Sequence, residues 1–196
     1  MTIFPIAYFG NISYFRKLAN SDSPVIDLGE HFLKQTLRSR CEILGANGIL
    51  SLSIPVIKSK GSKTPVSEIK ISETEDWRRI HWKAIESAYG SSPFFDYYGM
   101  EVKELIFNAE NNLEAFNLAI IERVSIWLDL ELNFTTSKVY IDPANNLDLR
   151  KDPFNEDENK IKRYTQVFAK NGEFYPDLSI LDLIFCEGPM GRNWIY

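Results

Sequence analysis

The chain has 196 residues, 44% hydrophobic, 25% charged and 13% aromatic, with a formal net charge of −5. That is enough chain for one ordinary domain with its own core, and it is too apolar and aromatic for a disordered segment. The acidic balance lacks the basic face of a nucleic-acid binder, and two histidines and two cysteines leave little material for a Cys/His metal centre, so no metal site is expected.

Thr2–Phe9 reads as a first strand, with Pro5 marking an edge. Gly10-Asn11 then turns the chain, and Asn11 is placed to cap a short helix carrying Ile12, Phe15, Leu18 and Ala19 on one face. Pro24–Leu28 follows as a second strand. A strand–helix–strand opening predicts a parallel pair joined by a right-handed crossover.

Alternation at Leu50, Leu52, Ile54 and Val56 predicts a half-buried strand, and Asn47-Gly48 supplies the left-handed residues of a tight hairpin turn. Lys58–Thr64 is a basic Gly/Ser loop, either a plain solvated connection or a cover for an anionic ligand. Ser72-Glu-Thr-Glu75 has the capping-box pattern and predicts a helix to about Tyr89, with Trp77, Ile80, His81, Ala84, Ile85 and Ala88 on one face. The aromatic run Phe94, Phe95, Tyr97, Tyr98 leads into a second helix, and Asn111 or Asn112 caps a third. Lys138–Ile141 is expected as a strand, Asp142–Lys162 as irregular surface, and Tyr164–Phe168 as one more strand. Ser179-Ile-Leu-Asp182 is a second capping box, opening a buried helix that stops at Gly188-Pro189. The expected architecture is α/β: a single domain over residues 1–196, a mixed sheet with the strand–helix–strand opening, a central hairpin and a helical middle segment.

Cys41 and Cys186 lie far apart with no CxxC and no secretory context, which favours reduced thiols. Met1–Phe9 is apolar but short, and Arg16 and Lys17 follow soon after, so neither a signal peptide nor a spanning helix is expected. A cytoplasmic protein without membrane insertion is the expectation.

The ten glycines form no GxGxxG, GxxxxGK[ST] or GxSxG, and HExxH is absent. What the chain does carry is an ordered set of stretches: Ile6–Phe15, Arg38–Ile43, Asn47-Gly48 with Ile54-Pro-Val56, Trp77–His81, Tyr89–Phe95, and Leu178–Asp182 through Glu187-Gly-Pro189. Together these resemble the WbqC-like family of bacterial proteins. An early Gln-Pro and an Asn-Arg pair usual in that family are replaced here by Ile3-Phe4-Pro5 and Ser39-Arg40. The resemblance implies a place in surface-polysaccharide or O-antigen synthesis and carries over no catalytic residue and no cofactor.

The candidate residues come from the chain itself. His81 is either a structural histidine or a general base, its ordinary pKa of ~6.5 suiting proton transfer near neutrality. Arg38 and Arg40, at alternate positions of an extended segment, point one way and form a clamp for a phosphate or carboxylate, or else lie in solvent. Tyr8, Asn11 and Tyr14 surround the first strand-to-helix turn, where open α/β sheets bind ligands and where helix amides favour an anion. Asp27 and Glu30 follow the second strand as sugar, ribose or metal–phosphate contacts, unless Asp27 only forms the turn before Gly29. Phe94, Phe95, Tyr97 and Tyr98 are core or a sugar-stacking platform. Asp182 is expected as the cap partner of Ser179, and Cys186 as packing.

The leading expectation is a group transferase acting on a small-molecule substrate such as a nucleotide-linked sugar. A non-catalytic binding or assembly module of the same pathway is the alternative, and a nucleotide-activating enzyme a third. Cofactor, donor and oligomeric state are not fixed by the sequence.

Overall fold

The computed structural model describes residues 1–152, 154, 161–170 and 172–196. Strand β1 (Thr2–Phe4) is buried along its whole length. Helix α1 (Ile12–Ala19) starts where Asn11 Oδ1 accepts the Tyr14 N–H at 3.0 Å, which satisfies a backbone donor that has no partner within the helix. Its Ile12, Phe15 and Leu18 face the core. Strand β2 (Pro24–Asp27) pairs parallel with β1, Thr2 opposite Pro24, so the strand–helix–strand opening forms as expected.

Two further strands complete a four-stranded parallel sheet. Strand β7 (Thr135–Ser137) lies beside β2, and β8 (Leu147–Asp148) beside β1, in the order β7-β2-β1-β8. Both depart from expectation. The apolar run Lys138–Ile141 is not a strand: it leaves the sheet after Ser137, with Val139 77% exposed, and it is held instead by the Ile141 N–H on Asp27 Oδ2 (3.2 Å) and by Tyr140 beneath the Arg150 guanidinium. The stretch expected to be irregular supplies β8.

The hairpin forms at its predicted turn. Strands β3 (Arg40–Gly45) and β4 (Gly48–Ser53) pair antiparallel from Arg40↔Ser53 to Gly45↔Gly48, and Gly48 takes the positive φ of 108° that the turn needs. The alternation is only half realised: Leu52 is buried, whereas Leu50 faces solvent. β4 ends before Ile54-Pro55, and β5 (Val56–Ile57) pairs separately with β6 (Lys70–Ile71). Pro55 has no N–H for the ladder, which separates the two pairs.

Helices α2 (Trp77–Tyr89), α3 (Phe95–Phe107) and α4 (Leu113–Trp127) form the middle layer. Ser72 does not cap α2: its Oγ bonds the Thr74 hydroxyl at 2.9 Å, and the helix begins after Asp76 without a side-chain cap. Ile80, expected on the buried face, is exposed, and Trp82, not expected there, packs on it with Trp77, His81, Ile85 and Ala88. Asn112 caps α4 through the Ala115 N–H.

Helix α5 (Ile180–Glu187) is capped by Ser179 and buried from Ile180 to Cys186. Asp182 is not a cap partner. It is fully buried, and its Oδ2 accepts from the Tyr164 hydroxyl (2.6 Å) and the Gln166 amide (2.9 Å). Tyr164–Phe168 is therefore an irregular segment fixed by side chains rather than a strand. One apolar cluster runs from Phe4 through the hairpin and the helices to Ile195. Phe94, Phe95, Tyr97 and Tyr98 divide: Phe95 and Tyr98 pack on this core, and Tyr97 projects into solvent. Cys41 and Cys186 are free and buried, and burial pushes both thiols well above their ordinary pKa. Among the described residues no helix is long and apolar enough to cross a membrane.

Candidate functional site

A cleft of about 570 Å³ opens where β1 hands over to α1, and its walls come from segments distant in sequence. Gly10 and Asn11 form one side, the Gln35–Arg38 turn and β3 another, and Arg150–Asp152 and Asp177–Ser179 the rest. Arg150 follows the end of β8 and Asn11 follows β1, so the cleft sits beyond the carboxyl ends of adjacent parallel strands. That is the usual ligand position in open α/β sheets.

The inner wall is built on paired charges. Arg38, 1% exposed, meets Glu30 through two bonds, Nε to Oε1 at 2.8 Å and Nη2 to Oε2 at 2.5 Å. Its Nη2 also donates to the Arg150 carbonyl (2.9 Å), and its Nη1 donates to Thr36 Oγ1 (3.1 Å). Arg150, 5% exposed, reaches Asp27 Oδ2 through Nη1 (2.5 Å) and both Asp148 oxygens through Nε and Nη2 (2.8 Å each). Asp27 Oδ1 accepts the Gly29 and Glu30 N–H groups, and its full burial rests on these bonds. The Asp148 and Asp27 carboxylates hold the Arg150 guanidinium firmly protonated. Burial pushes the Glu30 carboxyl up, and the Arg38 hydrogen bonds oppose it.

The expected anion site at helix amides is already filled from within the chain. The Ser13 N–H of α1 donates to Asp177 Oδ1 (2.8 Å), and the Ile12 N–H to the Leu178 carbonyl. At α5 the Ile180 N–H donates to the Gly10 carbonyl and the Leu181 N–H to Ser179 Oγ. The two helix starts are stitched to each other.

Of the residues expected at a site, Arg38, Arg40 and Asn11 line the cleft, and Tyr8, Tyr14, Asp27 and His81 do not. Asp27 stands behind the wall as the partner of Arg150. The Tyr14 hydroxyl donates to the Pro5 carbonyl at 3.0 Å inside the core. His81, 3% exposed, lies 2.8 Å from the Tyr8 hydroxyl through Nδ1. Burial pushes its pKa down to about 4, with a hydrogen bond to the Ser53 backbone opposing, so the ring is neutral at pH 7. Arg40 is half-buried and its Nε bonds Ser53 Oγ at 3.0 Å.

Arg150, Lys151, Asp177 and Gln35 also line the cleft and were not anticipated. Arg150 and Lys151 sit in a turn-rich acidic stretch, and nothing local ties them to Asp27, 123 residues away. Only the backbone marks Gln35 and Asp177: with Phe9 they are cleft residues at positive φ, 58°, 58° and 40°. Such strained conformations in side-chain-bearing residues gather at binding sites. Among the described residues, no group of three or more His, Cys, Asp or Glu is arranged to hold a metal ion.

The profile of the WbqC-like protein family matches residues 7–152, a span that includes β2, the hairpin, the helical layer and both arginines of the inner wall. It ends before Leu178–Pro189, the C-terminal stretch that also resembles the family. No curated protein and no solved structure shows a significant match. With well over half of its length matched, the chain belongs to the WbqC-like protein family.

Proposed function

We propose that the chain is a cytoplasmic group transferase of bacterial surface-polysaccharide synthesis, and that its cleft takes an activated, nucleotide-linked sugar. The observation that carries this reading is the placing of Arg38, Arg40 and Lys151 around one cleft beyond the carboxyl ends of β1 and β8. Arg40 and Lys151 supply the positive side for a phosphate. His81 enters as the support that fixes Tyr8, and through it the Phe9 wall, rather than as the base.

A binding or assembly module is the second reading, and one observation favours it. The buried titratable groups closest to the cleft are all committed: His81 is neutral beside Tyr8, the Cys41 thiol is pushed up by burial, and Glu30 is held by Arg38. None of these three is left for proton transfer.

Thermal-shift measurement with UDP-glucose, UDP-N-acetylglucosamine and UDP tests the first reading. The expected result is a rise in Tm with the nucleotide sugars that Arg40→Ala removes. No rise with any of the three would overturn the transferase reading and leave the module.

A further inference from the structure

The cleft has two electrostatic zones, and they divide a ligand between them. A guanidinium carries five N–H donors, and four of those of Arg38 are taken: Nε and one on Nη2 by Glu30, the other on Nη2 by the Arg150 carbonyl, and one on Nη1 by Thr36. Thr36 and Arg38 both line the cleft, and one Nη1 donor of this almost wholly buried side chain is left over by the bonds above. Around this wall three carboxylates, Glu30, Asp27 and Asp148, face two guanidinia. The inner zone therefore offers rigid, directional donors with no surplus of positive charge. An anion gains little there, whereas a neutral oxygen acceptor finds a donor that needs no reorganisation.

The rim differs. Among the described residues neither Arg40 nor Lys151 has a carboxylate partner within ion-pair distance, and the one side-chain bond of Arg40 goes to the neutral Ser53 hydroxyl. The carboxylates that share the rim are Glu42, bonded by the Ser51 hydroxyl, Asp152, paired with Lys17, and Asp177, engaged by Asn11 and the Ser13 N–H. Arg40 and Lys151 are thus the rim cations without a carboxylate partner among the described residues, whereas each rim carboxylate is held by other donors.

Resting on the transferase reading above, we infer that the substrate binds with its uncharged, oxygen-rich part, sugar hydroxyls or an amide carbonyl, against Arg38 and Thr36, and with its phosphates outward at Arg40 and Lys151. The orientation makes the phosphate contribution sensitive to salt and the inner contribution insensitive, because exposed charges are screened and buried hydrogen bonds are not.

Calorimetric titration of the whole chain with UDP and with UDP-N-acetylglucosamine, between 50 and 300 mM salt (roughly one Debye length of ~14 Å down to ~6 Å), tests it. UDP-N-acetylglucosamine is expected to bind about tenfold more tightly than UDP, at a ratio that salt does not change, while both affinities fall together. The double variant Arg40→Gln/Lys151→Gln, which leaves the inner wall intact, is expected to weaken both ligands by the same factor, about tenfold, and to flatten the salt dependence. Binding that the double variant leaves unchanged overturns the orientation while the transferase reading stands. Failure of both ligands to bind the native chain overturns the two together.

Discussion

The Tyr8 hydroxyl lies 2.8 Å from His81 Nδ1, joining the segment after β1 to the first turns of α2 inside the core. Trp77 and Phe116 pack around the pair, with ring centroids 5.2 Å from His81 to Trp77 and 5.8 Å from Tyr8 to Phe116. The Tyr8 hydroxyl at Nδ1 and the Ser53 backbone both act on the ring, and burial keeps it neutral, so the histidine joins three segments. Those segments carry Phe9 and the end of β4, both next to the cleft.

Removing either partner is therefore expected to act on stability. Tyr8→Phe leaves His81 Nδ1 without its partner, a loss of about 1–2 kcal/mol, and His81→Ala adds a cavity, for about 3 kcal/mol in all. Urea denaturation measures both. A His81→Ala variant with native stability and no turnover would instead restore His81 as a catalytic group.

The same ring gives the fold a pH dependence with a defined sign. Its folded pKa of about 4 lies below the ordinary 6.5, so between these values the unfolded chain binds the proton that the folded one refuses. The stability associated with His81 is full above pH 6.5 and is lost as pH falls toward 4, by about 3 kcal/mol at most. Thermal melts from pH 7 to 4 on the native chain and on His81→Gln are expected to diverge in that window, the variant showing the shallower slope. Parallel curves would count against a neutral, buried imidazole.

Local signals were the legible part of this fold. Asn11, Asn112 and Ser179 cap helices, and Asn47-Gly48 turns a hairpin, through contacts that span two to four residues and are fully written in the sequence. Ser72 shows the limit of such patterns, since the same hydroxyl closes a turn onto Thr74. Strands β7 and β8 were not legible: three and two residues long, they have no period to read, and they exist because β1 and β2 present unpaired edges. The site follows the same division. Arg38, Arg40 and Asn11 lie close to recognisable turns, whereas Arg150 reaches the cleft through a partner that only the folded sheet brings near.

The Glu30–Arg38 pair is expected to be costly to break and cheap to replace. Glu30→Ala leaves a buried guanidinium without its carboxylate, a loss of about 3–5 kcal/mol. Arg38→Met/Glu30→Leu removes both charges together, and is expected to recover most of that stability while abolishing ligand binding in the cleft. If the double variant is as unstable as the single one, the bonds to Thr36 and the Arg150 carbonyl hold this wall, and the ion pair does not.

Gly29 links the wall to the sheet. It follows the Asp27 turn, and a Cβ there would stand 2.8 Å from the Lys138 carbonyl oxygen and closer still to Val139 C and Tyr140 N, all backbone atoms that cannot rotate away. Gly29→Ala is therefore expected to cost about 2–3 kcal/mol through overpacking, and the strain has a direction. The displaced segment carries the Ile141 N–H that bonds Asp27 and the Tyr140 ring beneath Arg150, so Arg150 loses its fixed position before the core does. Ligand affinity in the cleft should fall at temperatures where circular dichroism still reports a folded chain. If affinity and fold are lost at the same temperature, the wall is no more than an extension of the core.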